Sequence, residues 1–248
     1  MLSDLATRIL TAMSQPEVIA RATQAIQLTR SLGLYSDWDS CAEKVLHFGA
    51  LIEAAASLLP PGGSIETGLY RGGTSGPLIL CAAAESFHIS IDPFGLPSQS
   101  YEALKEEYGA WREARMVLAR LARLAEERSV TYCHYLMGAA DFTHADLLQH
   151  PGYFRIVHLD GAHTKEAVID ELIYFRSKLR GPALFILDDD DTHFPGVGEA
   201  LTSSAGTGLV PVLHRYYAFA EAMQPCGFSA WLHASASSVE RNEARPSP

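Results

Sequence analysis

The sequence predicts an α/β fold: a mostly parallel sheet with helices on both faces, a helical N-terminal extension and a terminal antiparallel pair of strands. Three observations predict it. Short apolar runs alternate with amphipathic helical stretches from about residue 62 to about residue 200, the pattern of successive strand–helix–strand units. A glycine-rich turn follows the first of those strands. Acidic residues close the second, fourth and fifth, and sheets of this kind bind ligands at the carboxyl ends of their strands. A chain of 248 residues that is 48% hydrophobic can bury the core such a domain needs.

Taken in order, residues 1–60 read as helices. Leu5, Ile9 and Leu10, then Val45, Leu46, Leu51, Ile52 and Leu58, recur at helical spacing, and Pro60-Pro61-Gly62-Gly63 stops the pattern. A main domain over 61–234 follows. SIETGLYRGGTSGPLILCAAA is a strand, a glycine-rich turn and a helix, and FHISIDPFG is a second strand ending on Asp92. Residues 98–128 form an amphipathic helix with six acidic and six basic residues. VTYCHYL at 130–136 and YFRIVHLDG at 153–161 are the third and fourth strands. KEAVIDELIYFRSKL at 165–179 is a helix that Gly181-Pro182 separates from the fifth strand, ALFILDDDD. LVPVLHRYYAFAEAM and GFSAWLHAS supply the antiparallel pair, and 235–248 is a flexible polar tail.

The net charge of -10 disfavours phosphate backbones and anionic lipid, so neither nucleic acid nor a membrane surface is an expected partner. Asp4 and Arg8 interrupt any secretory leader, and no apolar stretch is long enough to span a bilayer. Four cysteines without a CxxC pair fit free thiols, and the expected location is the cytoplasm.

Chemistry is expected at the strand ends. The first carries Glu66, Gly68, Tyr70 and Thr74, spaced Gly-x-x-x-Gly-Gly rather than as a dinucleotide fingerprint. Two readings fit it: a tight turn with a surface Glu66, or a loop whose carboxylate favours a cationic ligand. Asp92 either accepts both hydroxyls of a ribose or opens the turn at Pro93. Gly138, Ala139, Ala140 and Asp141 leave room for an aromatic base. Asp160 ends the fourth strand and Asp188 and Asp189 the fifth; converging carboxylates repel one another unless a hard divalent cation such as Mg²⁺ joins them. Otherwise the run from Asp188 to Asp191 is a solvated loop and Asp160 a helix cap. His163, three residues past Asp160, is a general base or a capping histidine, and His193 is a second candidate.

These motifs, in this order, resemble the class I S-adenosylmethionine-dependent methyltransferases, with their Rossmann-like sheet. IETGLYRGGTS is similar to their first motif and ISIDPFG to their ribose-binding acid. VHLDGAHTKEAVIDEL with LFILDDDDTHFPGVGEAL resembles the metal-dependent branch that methylates small-molecule hydroxyls. That branch includes sugar O-methyltransferases of macrolide and aminocoumarin pathways and relatives of cephalosporin hydroxylase. The resemblance implies S-adenosylmethionine contacts from Glu66, Gly68, Tyr70 and Thr74, ribose contacts from Asp92, and adenine contacts from Ala139, Ala140 and Asp141. It implies Mg²⁺ on Asp160, Asp188 and Asp189, catalytic roles for His163 and Asp160, and a small hydroxylated substrate. His163 stands where the catechol O-methyltransferase group has its lysine base. Residues 1–60 match none of the motifs; the resemblance implies a lid and homodimer contacts there. The departures are at Ala162 and Lys165, where the branch often has an acid and an aromatic residue. A hydroxylase-type relative and a non-catalytic cofactor-binding partner are the rival readings.

Overall fold

The computed structural model describes residues 2–35, 41–94, 101–148, 154–190, 194–217 and 226–234. The expected flexible tail at 235–248, and with it His193, lies outside these residues. Three helices come first: α1 (Leu2–Ala12), α2 (Pro16–Ser31) and α3 (Ala42–Leu58). Pro16 opens α2 at a position where a missing N–H costs nothing. Pro60 forces Leu59 into an extended conformation (φ -84°, ψ 151°), which ends α3. The α/β alternation then runs β1 (Gly63–Thr67), α4 (Ser75–Cys81), β2 (Phe87–Ile91), α5 (Tyr101–Glu127), β3 (Thr131–Tyr135), α6 (Ala139–His144), β4 (Phe154–Leu159), α7 (Lys165–Ser177), β5 (Ala183–Asp188) and α8 (Pro195–Thr202). The pair β6 (Val210–Tyr217) and β7 (Cys226–His233) closes the fold.

Among the described residues the strands form one seven-stranded sheet in the order β3-β2-β1-β4-β5-β7-β6. Strands β1 to β5 are parallel, and β7 inserts antiparallel between β5 and β6. Central strands β1, β4 and β5 are buried along their whole length, as a parallel sheet covered on both faces requires. The chain reverses direction across the sheet between β1 and β4, and that reversal opens a crevice at their carboxyl ends.

Helices α6, α7 and α8 cover one face, with Val168, Leu172, Phe175 and Val197 packed on Val157, Leu159, Phe185 and Leu187. On the other face α1 and α3 pack against β4 to β7: Ile9, Phe48, Leu51 and Ile52 share a core with Ile156, Leu184, Ile186, Phe228 and Leu232. Residues of α1 and α3 thus share a core with the sheet. The segment after α2 also meets the glycine turn. The Tyr35 N–H donates to the Arg71 carbonyl (3.2 Å) and the Gly73 N–H donates to the Tyr35 carbonyl (2.9 Å). No helix among the described residues is long and apolar enough to cross a membrane.

Candidate active site

Gly68 follows β1 with φ +80°, and a Cβ there would stand 1.8 Å from the Asp160 carbonyl oxygen, so this position accepts only glycine. Tyr70, also in the left-handed region (φ 46°), continues the turn. From the end of β2, Asp92 holds it in place. Its Oδ2 accepts from the N–H groups of Leu69 (2.7 Å) and Tyr70 (2.9 Å), while Oδ1 accepts from Phe94 N–H (2.6 Å).

Below the turn lies a cleft of about 730 Å³ whose walls include Gly68, Tyr70, Asp92, Gly138, Ala139, Asp160, His163 and Asp189. Eight of the residues singled out from sequence thus converge: Gly68, Tyr70, Asp92, Gly138, Ala139, Asp160, His163 and Asp189. At one end His163 stands between two carboxylates, its Nε2 3.4 Å from Asp160 Oδ1 and its Nδ1 3.5 Å from Asp189 Oδ2. One donor atom from each of the three lies within 4.8 Å of the others. Asp189 reaches the cleft because it follows β5 with φ 53°, a left-handed residue that turns the chain back.

Five expected residues are not brought to the cleft. Asp188, expected on the metal, is 1% exposed and pairs with Lys44 of α3, Nζ to Oδ1 2.8 Å, a lysine with no exposed surface. Strand alternation is the reason: Asp188 shares a face with Leu184 and Ile186, toward α3, and Asp189 is the residue that turns the other way. Glu66 is fully buried behind the turn, where it accepts hydrogen bonds from the Thr74 and Ser75 hydroxyls and meets His158 Nδ1 at 2.9 Å. Thr74 is buried with it for the same reason. Ala140 and Asp141 continue α6 onto its exposed side, because each helical residue turns about 100° from the last.

The residues behind the turn form a charged pair. Burial alone would raise the Glu66 carboxyl, but the hydrogen bond and charge of His158 hold it below the usual carboxylate value. Burial likewise lowers His158, and Glu66 outweighs it to leave that imidazole raised. Their neighbour His88 is pushed down to about 4 by burial. Glu171 of α7, raised by burial to about 7, lies under the Gly161–His163 loop, with the Thr67 hydrogen bond and the charge of His163 opposing the shift.

Sequence reasoning passed over Lys44, His158, His88 and Glu171. Lys44 had a signal, because it shares a helical stripe with Phe48, Leu51 and Ala55, all buried. His158 and His88 lie in strands of otherwise largely apolar residues, FRIVHL and FHISI, and both are buried.

No protein-family model matches the chain, and no curated protein does. Solved structures do. The O-methyltransferase TomG from Streptomyces achromogenes, involved in tomaymycin synthesis and solved with S-adenosylmethionine, superposes with a TM-score of 0.54 at 16% identity, covering 90% of this chain and 92% of that one. An O-methyltransferase from Bacillus cereus in complex with S-adenosylhomocysteine gives 0.54 at 12%, covering 89% and 91%. The calicheamicin methyltransferase CalS11 gives 0.51 at 14%, covering 87% and 93%. At such identities the likeness is one of architecture, and by strand order, parallel core and antiparallel closing strand the chain has the class I methyltransferase fold.

Proposed function

We propose that the protein transfers a methyl group from S-adenosylmethionine to a hydroxyl of a small molecule, a sugar or other natural product, assisted by a divalent cation. One observation carries this reading: the glycine turn held by Asp92 and the Asp160–His163–Asp189 cluster open into the same cleft. The cleft's volume is that of a site for a cofactor-sized ligand.

The donor set supports a cation at Asp160 and Asp189. Two carboxylates a few ångströms apart suit Mg²⁺ or Mn²⁺, which keep water in their remaining positions. Asp188 does not belong to that set, because Lys44 already balances its charge. When bound, the cofactor supplies an electrophilic methyl group and the cation a positive charge that favours an ionised acceptor oxygen.

This chain's residues do the rest. Asp92 fixes the turn with three backbone N–H bonds and has one lone pair left, on Oδ1, for a ribose hydroxyl. Ala139 gives a planar base space to lie on the cleft wall. His163 takes the acceptor proton, and Asp160 and Asp189 on either side of its ring stabilise the imidazolium that results. Held in this geometry, oxygen and methyl group gain most of their acceleration from alignment and fixed charge.

The test is calorimetric binding followed by product mass. Wild-type protein should bind S-adenosylmethionine and Mn²⁺ and add one CH₂ unit to its substrate. Asp160→Asn and Asp189→Asn should lose Mn²⁺ binding and keep the cofactor. His163→Gln should keep Mn²⁺ and lose roughly 100-fold or more in turnover. Full activity in excess chelator would remove the cation from the mechanism, and a product heavier by one oxygen would replace methyl transfer with hydroxylation.

A further inference from the structure

Glu171 lies on the inner side of α7, 2% exposed, at the junction of the two functional loops. Its Oε2 accepts a hydrogen bond from the Thr67 hydroxyl (2.9 Å). Its Oε1 is buried without a hydrogen-bond partner among the described residues. That atom lies 3.4 Å from where a side chain on Gly161 would begin, and so do the Thr67 Cβ and hydroxyl. Thr67 is the last residue of β1, directly before Gly68; Gly161 directly follows Asp160. The two loops also touch through their backbones, where the Asp160 N–H donates to the Thr67 carbonyl at 3.0 Å. The space between Glu171, Ala162 and His163 leaves no room for a water molecule.

A leucine would fill this place without burying a polar atom that finds no partner. Packing alone therefore does not account for a carboxyl here. What a carboxyl adds is the bond to Thr67, made from a side chain that also lies beside Gly161. A shift of the turn after β1 has to break that bond, and a shift of the loop after β4 toward α7 has to close the gap at Gly161.

We propose that Glu171 is a positioning residue that couples the two halves of the site: it locks the turn after β1 to the loop after β4, so that a cofactor bound at one and a cation held at the other strengthen each other's binding. This role presupposes the cofactor at the Gly68 turn and the cation at Asp160 and Asp189. Glu171 touches neither and acts through Thr67 and Gly161.

Titration of Mn²⁺ into the full chain, with and without saturating S-adenosylhomocysteine, measures the coupling. In wild type the Mn²⁺ dissociation constant should fall roughly fivefold or more when S-adenosylhomocysteine is bound, and linkage requires the same factor in reverse. In Glu171→Leu both ligands should still bind while the factor drops to near one. Thr67→Val removes only the hydroxyl and should give the same loss, which decides the matter if the leucine variant does not fold. Glu171→Gln keeps a carbonyl acceptor for Thr67 and should restore most of the factor. A purely structural role would weaken both ligands and leave their ratio unchanged. A factor of one in wild type with both ligands bound, or an undiminished factor in Thr67→Val, overturns the coupling and leaves the methyltransferase reading standing. Binding of neither ligand to wild type overturns both.

Discussion

Along β1, β2, β4 and β5 the odd-numbered and even-numbered residues face different helices, and their chemistry differs. The odd row is largely apolar, with Ile65, Ile89, Ile91, Val157, Leu159, Phe185 and Leu187, and meets α6 to α8, where Thr67 bonds to Glu171. The even row contains Ser64, Glu66, His88, Ser90, His158 and Asp188, all buried, with Ile156, Leu184 and Ile186 among them. The pairing register sets Glu66 beside Ser90 on one side and His158 on the other, so the polar side chains form a belt across the sheet. Lys44 extends it by pairing with Asp188. One face holds the sheet together by area removed from water; the other does so through mutual satisfaction of charges and hydrogen bonds, and it fails when one member is removed.

The largest effects should distinguish the two faces. Phe185→Ala on the apolar side should cost about 3–5 kcal/mol, a cavity loss that no single further change repairs. Lys44→Met should cost about as much, 3–5 kcal/mol, because it leaves Asp188 buried without its counter-charge. Here repair is expected: Lys44→Met with Asp188→Leu should recover most of the loss in urea unfolding. A double variant as unstable as the single one would show that the polar face depends on more than paired charge.

Acid should act mainly on the polar face. The buried His88 has a folded pKa of about 4 against an ordinary 6.5, so between those values the unfolded chain binds a proton that the folded ring refuses. Stability therefore falls as pH drops from 6.5 to 4, by about 3 kcal/mol for this group. His233, also near 4 but only half buried, adds a smaller share. The Glu66–His158 pair works in the window bounded by its depressed carboxyl and raised imidazole, and is lost on either side. His88→Gln should flatten the acid limb of stability against pH, and an unchanged limb would contradict a neutral buried His88. Smallest is Thr164→Ala at the start of α7, whose hydroxyl accepts from Ala167 N–H at 3.4 Å; thermal melts should show a loss of about 0.5 kcal/mol.

The same comparison explains what was legible in the sequence. Strands and helices were, because alternating blocks fix their type: 130–136 became Thr131–Tyr135 and 165–179 became Lys165–Ser177. Loop residues at strand ends were legible too, since Gly68, Asp92, Asp160 and His163 have nowhere to go but the cleft mouth. What failed was the choice of face. A run of four aspartates does not say which carboxyl turns inward; counting by twos from Leu184 and Ile186 would have sent Asp188 toward α3. Glu66 follows Ser64 by the same count. Nothing local announced that a lysine 144 positions away would meet Asp188.

The packing of α1 has a consequence for synthesis. This helix, near the start of the chain, buries its apolar side against β6 and β7, close to the other end. As the chain leaves the ribosome, Ile9 and its neighbours meet α3 early, but must wait for nearly every other element before β6 and β7 exist. The polar belt cannot close early either, since Lys44 meets Asp188 only once β5 is made. The side of that helix that meets β6 and β7 therefore stays uncovered until those strands are made, and a chaperone that shields it should raise the yield of folded protein.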